Sequence, residues 1–215
     1  MPFDREMRRQ AAIVGIRLPG DAVEAMERHY RLLLRWNSAA KLTSITSLPE
    51  IVSRHFIESI LAVPHLRPGG GDLVDIGSGG GFPALPILIM RPDYRGTLLE
   101  PATRKWAYLK AVIPEIGLGA RASVLRRRVD SRAEVAALGP FDCLTMRAVS
   151  SHEALIGGAA DGLRPGGRAL FFVGSEAVEK IRSTLPAGLV LKATVALPGR
   201  RSSFLLVLER EERDL

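Results

Sequence analysis

The stretch Asp75-Ile76-Gly77-Ser78-Gly79-Gly80-Gly81-Phe82-Pro83 decides the fold. It is reached through Asp72-Leu73-Val74-Asp75-Ile76, a short and largely apolar run of the kind that forms a strand buried on both faces. It leaves through Phe82-Pro83, which predicts a helix, because proline suits a first helical turn where its missing N–H has no partner to lose. Between strand and helix, Gly77 to Gly81 contain a single side chain, that of Ser78. Such a loop lets the backbone turn sharply and approach a ligand while the helix start presents unpaired N–H groups to it. Strand, glycine loop and helix in this order are the first half of a βαβ unit, so the expected class is α/β with a parallel sheet.

The spacing of the glycines restricts what the loop can hold. A dinucleotide fingerprint, Gly-x-Gly-x-x-Gly, requires glycine at position 82, where this chain has Phe82. Gly77, Gly79 and Gly81 follow Gly-x-Gly-x-Gly instead, which disfavours a nicotinamide-dependent reductase. Two carboxylates flank the loop: Asp75 lies two residues before it, and Glu100 ends the next predicted strand, Gly96 to Glu100. At a strand's carboxyl edge, the two oxygens of Glu100 suit the 2′ and 3′ hydroxyls of a ribose, and Asp75 suits a cationic amino-acid end. S-adenosylmethionine carries both groups and is the expected cofactor. The plainer alternatives are a structural tight turn for the glycines and a helix-start carboxylate near Thr103 for Glu100.

Working outward, the pattern continues as β and helical runs in alternation. A helix is predicted over Arg104 to Ile116, with strands at Ala122–Leu125, Phe141–Met146 and Arg168–Val173, the last introduced by the turn Arg164-Pro165-Gly166-Gly167. Leu189–Leu197 and Phe204–Glu209, joined across Pro198-Gly199-Arg200-Arg201, read as a terminal hairpin. Before Pro68-Gly69-Gly70-Gly71 the periodicity is helical. One stripe consists of Val23, Met26, Tyr30, Leu33 and Leu34 with Asp21 as its cap, and a second helix runs from Pro49 to Leu66 with Ser47 as its cap. The expected division is a helical cap over 1–68 and a cofactor-binding domain over 69–215.

Composition excludes several classes. The 215 residues include one Cys and four His with no ligand spacing among them, so neither a disulfide scaffold nor a metal site is expected. No apolar run approaches the ~20 residues of a bilayer span, and a cytoplasmic, monomeric protein is expected. The formal net charge of +7 points to a polyanionic partner, nucleic acid first. Ten basic residues against four acidic ones lie between Arg91 and Arg132.

Five segments in order carry a family resemblance: Trp36-Asn37 to Thr43, Arg54-His55 to Ser59, Asp75 to Pro86, Leu98 to Lys105, and Phe141 to Val149. Together they resemble the glucose-inhibited division protein B family, the small-subunit ribosomal RNA methyltransferase G enzymes. The resemblance implies a Rossmann-like, seven-stranded class I methyltransferase sheet with an N-terminal helical cap. It implies methylation by S-adenosylmethionine of N7 of a guanine in 16S rRNA, naked or in a small-subunit particle. Carried over by position, Gly77 and Phe82 contact the cofactor, Val129 and Asp130 flank its adenine, and Arg147 stands by its methionine end and the substrate cleft. Arg54 and His55 line that cleft. Arg104 and Lys105, beside the ribose-binding acid, and Arg200 and Arg201 in the hairpin are the RNA candidates. The chain departs from the family pattern at Lys41 and Glu58, where the family has Asn and Asp. It also lacks a lysine near Val173–Gly174 and an arginine near Ser203.

Guanine N7 has a free lone pair, so its methylation requires alignment and desolvation and no general base. No acid–base residue is therefore expected, and Arg147 is a positioning candidate. The place where an exocyclic-amine methyltransferase carries Asn/Asp-Pro-Pro-aromatic holds Met146-Arg147-Ala148-Val149. Three alternatives stay open: action on another RNA, action on a small molecule, and RNA binding without turnover. Taken singly, His55 and Trp36 read as packed residues, Cys143 as a buried inert thiol, and Arg126-Arg127-Arg128 as either a solvated loop or a phosphate contact.

Overall fold

Short apolar runs become the strands of one seven-stranded sheet. The structure, a computed structural model, describes residues 2–147, 152–199 and 202–212. The chain opens with helices α1 (Pro2–Ile13) and α2 (Gly20–Ala40). A helical stretch follows, made of α3 (Leu48–Ile51), a π-helical turn over Val52–Ile57 and α4 (Glu58–Ile60). Then come β1 (Gly71–Ile76), α5 (Ala84–Met90), β2 (Tyr94–Leu99), α6 (Thr103–Glu115), β3 (Ala122–Leu125) and α7 (Arg132–Ala136). The chain continues with β4 (Phe141–Arg147), α8 (His152–Gly162), β5 (Leu163–Gly174), α9 (Ser175–Ser183), β6 (Leu189–Ala196) and β7 (Ser203–Arg210).

The strand order is β3-β2-β1-β4-β5-β7-β6. The first five strands are parallel, and β7 inserts antiparallel between β5 and β6. The expected α/β fold and the terminal hairpin are both present. Because the chain runs outward from β1 to β3 and then returns to start β4 on the other side of β1, the order reverses between β1 and β4. In open α/β sheets that reversal opens a crevice at the carboxyl ends of the strands.

Alternation along the central strands feeds two cores. Leu73 of β1 with Leu170 and Phe172 of β5 packs against α5, α6 and the N-terminal helices; Val74, Ile76, Ala169 and Phe171 pack against α7, α8 and α9. Phe3, Met7, Met26, Leu33 and Phe56 belong to the first core, so the N-terminal helices share one apolar interior with that face of the sheet.

One helix was not assigned from the sequence, and several local expectations need correction. The segment Pro2–Ile13 forms a helix, with Phe3, Met7 and Ala11 buried at spacings of four, although charged residues dominate its sequence. The predicted helix from Pro49 to Leu66 is interrupted: its middle turn is π-helical, and a 3₁₀ turn at Val63–His65 closes it. Leu34, placed on the apolar stripe, is 44% exposed. Residues 164–167 lie within β5, which starts at Leu163 opposite Phe141 and slips register before Cys143 meets Arg168. The caps differ too. Pro19, not Asp21, precedes α2, whereas Ser47 does hold the cap position of α3, with its hydroxyl donating to Glu50 Oε2 at 2.8 Å rather than capping backbone.

Candidate functional site

The glycine loop sits at the carboxyl end of β1, at the point of reversal. Gly77, Gly79 and Gly81 have φ of +74°, +52° and +86°, a region that disfavours other residues, so the turn needs its glycines. Two of them do different work. A β-carbon on Gly79 would meet nothing nearer than the Gly77 carbonyl oxygen at 3.8 Å, so this face of the loop is open; one on Gly81 would collide with Leu85 of α5. Gly77 and Ser78 donate to the Leu99 carbonyl at 2.9 and 3.0 Å, which ties the loop to the end of β2. Phe82-Pro83 is a cis peptide, and the helix starts one residue later than expected, at Ala84.

Asp75 is fully buried. Its Oδ1 accepts a 2.6 Å hydrogen bond from Thr145 Oγ1, on the neighbouring strand at the paired register position, while Oδ2 has no hydrogen-bond partner. Burial pushes the Asp75 carboxyl up to about 6; the hydroxyls of Ser78 and Thr145 oppose the shift and the charge of Glu100 adds to it. A sealed carboxylate with one unsatisfied oxygen is costly unless a cationic donor completes it.

Glu100 stands directly beyond β2 and is 5% exposed. Its Oε2 accepts from the Gly79 N–H and its Oε1 from the Ala102 N–H, both at 2.8 Å. The carboxylate therefore clasps the glycine loop and also performs the helix-start role at α6. Each oxygen keeps a further lone-pair direction for a hydroxyl.

Phe82 is 8% exposed and turned toward the N-terminal helices. It is stacked between His29 and His55, each with ring centroids 4.7 Å from its own. His55 Nε2 is bonded to Thr43 Oγ1 at 2.8 Å, and Asn37 holds the turn before it, accepting from the Leu42 and Thr43 N–H groups at 2.9 Å. His29 Nε2 donates to the Gly80 carbonyl at 2.9 Å. Burial drives His29 down to about 4; burial, with the Arg147 and Arg54 charges, drives His55 down to about 3. Both rings are neutral near pH 7. His29 escaped the sequence reading; the only signal was a histidine on the apolar stripe of α2, between Met26 and Leu33.

The other predicted residues fall in three places. Arg147 ends β4, pairs with the buried Glu58 and lies over the Phe172 ring at 5.2 Å. The stem of Arg54 and the Glu58 carboxylate pack so closely on Gly199 that no side chain fits there. Val129 is buried and Asp130 exposed in the segment after β3, where the Asp130 N–H donates to Glu134 Oε2 at 3.1 Å beside the capping box of Ser131 and Glu134. Arg104 is exposed, and its Nη1 donates to the Ala39 carbonyl at 3.3 Å; Lys105 is half-buried. Arg200 and Arg201 lie outside the described residues, as do Ala148 and Val149. The structure thus gathers Asp75, Gly77, Gly79 and Glu100 into one cluster, and Arg54, His55, Glu58 and Arg147 into another. A cavity of about 800 Å³ lined by Asp161, Gly188, Lys192 and Glu209 lies at the opposite, amino edge of the sheet.

Comparison with known proteins agrees with this architecture. The glycopeptide N-methyltransferase MtfA, solved in complex with S-adenosylmethionine, superposes with a TM-score of 0.58 over 72% of this chain and 93% of its own, at 15% identity, a likeness of fold. The ribosomal RNA small subunit methyltransferase G of Desulfitobacterium hafniense (strain Y51) is 33% identical over 182 residues, 85% of this chain and 75% of that protein. Its counterpart from Xanthomonas axonopodis pv. citri (strain 306) is 33% identical over 186 residues, 86% of this chain and 84% of that protein. Residues 22–196, from the second helix through the glycine loop to the end of β6, match the model of one family, and by that match the chain belongs to the rRNA small subunit methyltransferase G family.

Proposed function

We propose that this protein transfers a methyl group from S-adenosylmethionine to N7 of a guanine in 16S rRNA. One observation carries the cofactor half of this reading: Asp75, buried with an unpartnered Oδ2, lies under a glycine loop whose N–H is bonded to Glu100, at the reversal point of the sheet. The residues fit the cofactor. Asp75 offers its orphaned oxygen to the amino end, the open face of Gly79 admits close approach, and Glu100 has lone pairs left for ribose hydroxyls. Val129 and Asp130 border the adenine side. When bound, S-adenosylmethionine supplies an electrophilic methyl group on sulfur.

The chain's own residues need only orient the base and exclude water, since N7 presents a lone pair without deprotonation. Neither histidine near the loop is poised as a base, both being neutral and engaged in stacking and hydrogen bonds. Arg147 is the positioning residue, its guanidinium fixed between Glu58 and Phe172. Family membership and the net charge of +7 support the RNA substrate. The test is transfer of labelled methyl from S-adenosylmethionine to 16S rRNA, followed by mapping of 7-methylguanosine in cells with and without the gene. A single modified guanine that disappears with the gene is expected. An unchanged map, or label on an exocyclic amine, contradicts the reading.

A further inference from the structure

The arginines of this protein divide by what their guanidinium groups touch. Arg121 binds the carbonyls of Leu88 and Tyr94 at 3.0 and 2.7 Å, Arg91 pairs with Asp93, Arg132 with Asp161, and Arg168 with Glu209. These groups are committed to the fold. Arg28 and Arg35 differ: both are exposed on α2, and neither makes a hydrogen bond or ion pair among the described residues. Seven residues apart, they occupy the same helix face about 10 Å from each other. Between them α2 and α6 form a groove of about 540 Å³, with Leu32 and Trp36 lining it on the α2 side and Pro114 and Glu115 on the other. Arg31, paired with Glu27 at 2.8 Å, is the third arginine on its wall, and Glu115 is its one lining carboxylate.

The two helices that form the groove also lead toward the site. The two helices run antiparallel, for Trp36 meets Tyr108 midway at a centroid distance of 6.1 Å and Arg104, in the first turn of α6, reaches back to Ala39. That first turn starts at the Glu100 edge, and there Arg126 approaches Thr103 Oγ1 at 3.4 Å. Cations thus line a path from Arg28 through Arg35 and Arg104 to the mouth of the cofactor site.

We propose that the α2–α6 groove holds the phosphate backbone of the RNA substrate outside the catalytic cleft, an inference that rests on the RNA reading above. Guanidinium groups without carboxylate partners match phosphate oxygens in geometry and charge, and Leu32 with Trp36 offers an apolar floor for ribose or base faces.

The experiment measures binding of 16S rRNA to the full chain over a range of KCl concentrations, for wild type and for Arg28→Ala/Arg35→Ala, with methyl-transfer kinetics and S-adenosylhomocysteine titration in parallel. Loss of two phosphate contacts lowers the slope of log K against log salt by about 1.4 to 1.8. It also raises KM for RNA by about tenfold at fixed salt, with kcat and S-adenosylhomocysteine affinity unchanged. Arg28→Lys/Arg35→Lys, which keeps the charge, retains the slope. An unchanged slope and KM in the alanine pair, with wild type still binding and methylating RNA, overturns the groove and leaves the function standing. An unchanged slope with self-association weakened in sedimentation assigns the groove to a second copy and equally overturns it. Wild type that binds no RNA at any salt removes the RNA reading itself and the groove with it.

Discussion

Asp75 sets folding against binding. Its carboxyl is held near 6 in the fold against an ordinary 3.8, so the fold gains most from it when it is protonated in both states, below pH 3.8, and that contribution is lost as pH rises through 6. Asp75→Asn removes the buried charge while keeping an acceptor for Thr145. The expected outcome, read by urea unfolding without cofactor, is a gain of about 2 kcal/mol at pH 7.5 and no gain at pH 3.5. The same variant loses at least tenfold in S-adenosylmethionine affinity. Lys41 carries a smaller local cost. It follows α2 with φ of 49° and ψ of 56°, a left-handed conformation suited to glycine or asparagine. Lys41→Asn is expected to raise stability by about 0.5 kcal/mol, measured by the urea midpoint at unchanged m.

Among the elements, the joint between the N-terminal helices and the glycine loop is a chain of contacts running Asn37, Thr43, His55, Phe82, His29, Gly80. Each stacked ring pair contributes roughly 0.5–1.5 kcal/mol beyond its buried area. The joint depends on neutral imidazoles, and the sign of its pH dependence follows. Below the ordinary 6.5 the unfolded chain takes up protons that the folded rings refuse, so stability falls with pH from 6.5 toward 4 for His29 and toward 3 for His55. Asp75 acts oppositely between 6 and 3.8, so the measurement belongs in the Asp75→Asn background. There, unfolding free energy is expected to fall on acidification by up to about 3 kcal/mol for His29 and about 5 kcal/mol for His55. His29→Phe, which keeps the stack and leaves the Gly80 carbonyl unbonded, is expected to cost about 1–2 kcal/mol at pH 7.5 and to flatten the acid slope. A slope unchanged in His29→Phe would show that this histidine is not the titrating group.

At the scale of the whole molecule, the parallel sheet was legible because its strands are short apolar runs alternating with helical ones, and because Gly77 to Gly81 admit few conformations other than a turn. The short hairpin at the end was legible from two β-rich runs and a turn. Helix α1 was not, since its buried Phe3, Met7 and Ala11 are scattered among charges and its face packs on residues far along the chain, Tyr30 and Phe56 among them. The π-helical turn leaves no residue signature, being a shift of hydrogen-bond register rather than a choice of side chains. Of the candidate site, the placement of the acids and glycines was legible from their positions at strand ends. What escaped was long-range: His29 matters through a carbonyl 51 residues away, and Phe82 faces the helices because two rings from separate elements enclose it. Glu100 was placed at the right edge with only part of its work foreseen, since loop N–H groups occupy it too. Asp75, Gly79 and Glu100 meet at the carboxyl edge of β1 and β2. Calorimetric titration of S-adenosylmethionine into folded wild type, Asp75→Asn and Gly79→Ala tests that edge most directly. One saturable site in wild type, weakened at least tenfold in both variants, is predicted. No heat in folded wild type, or equal affinity in all three proteins, would contradict it.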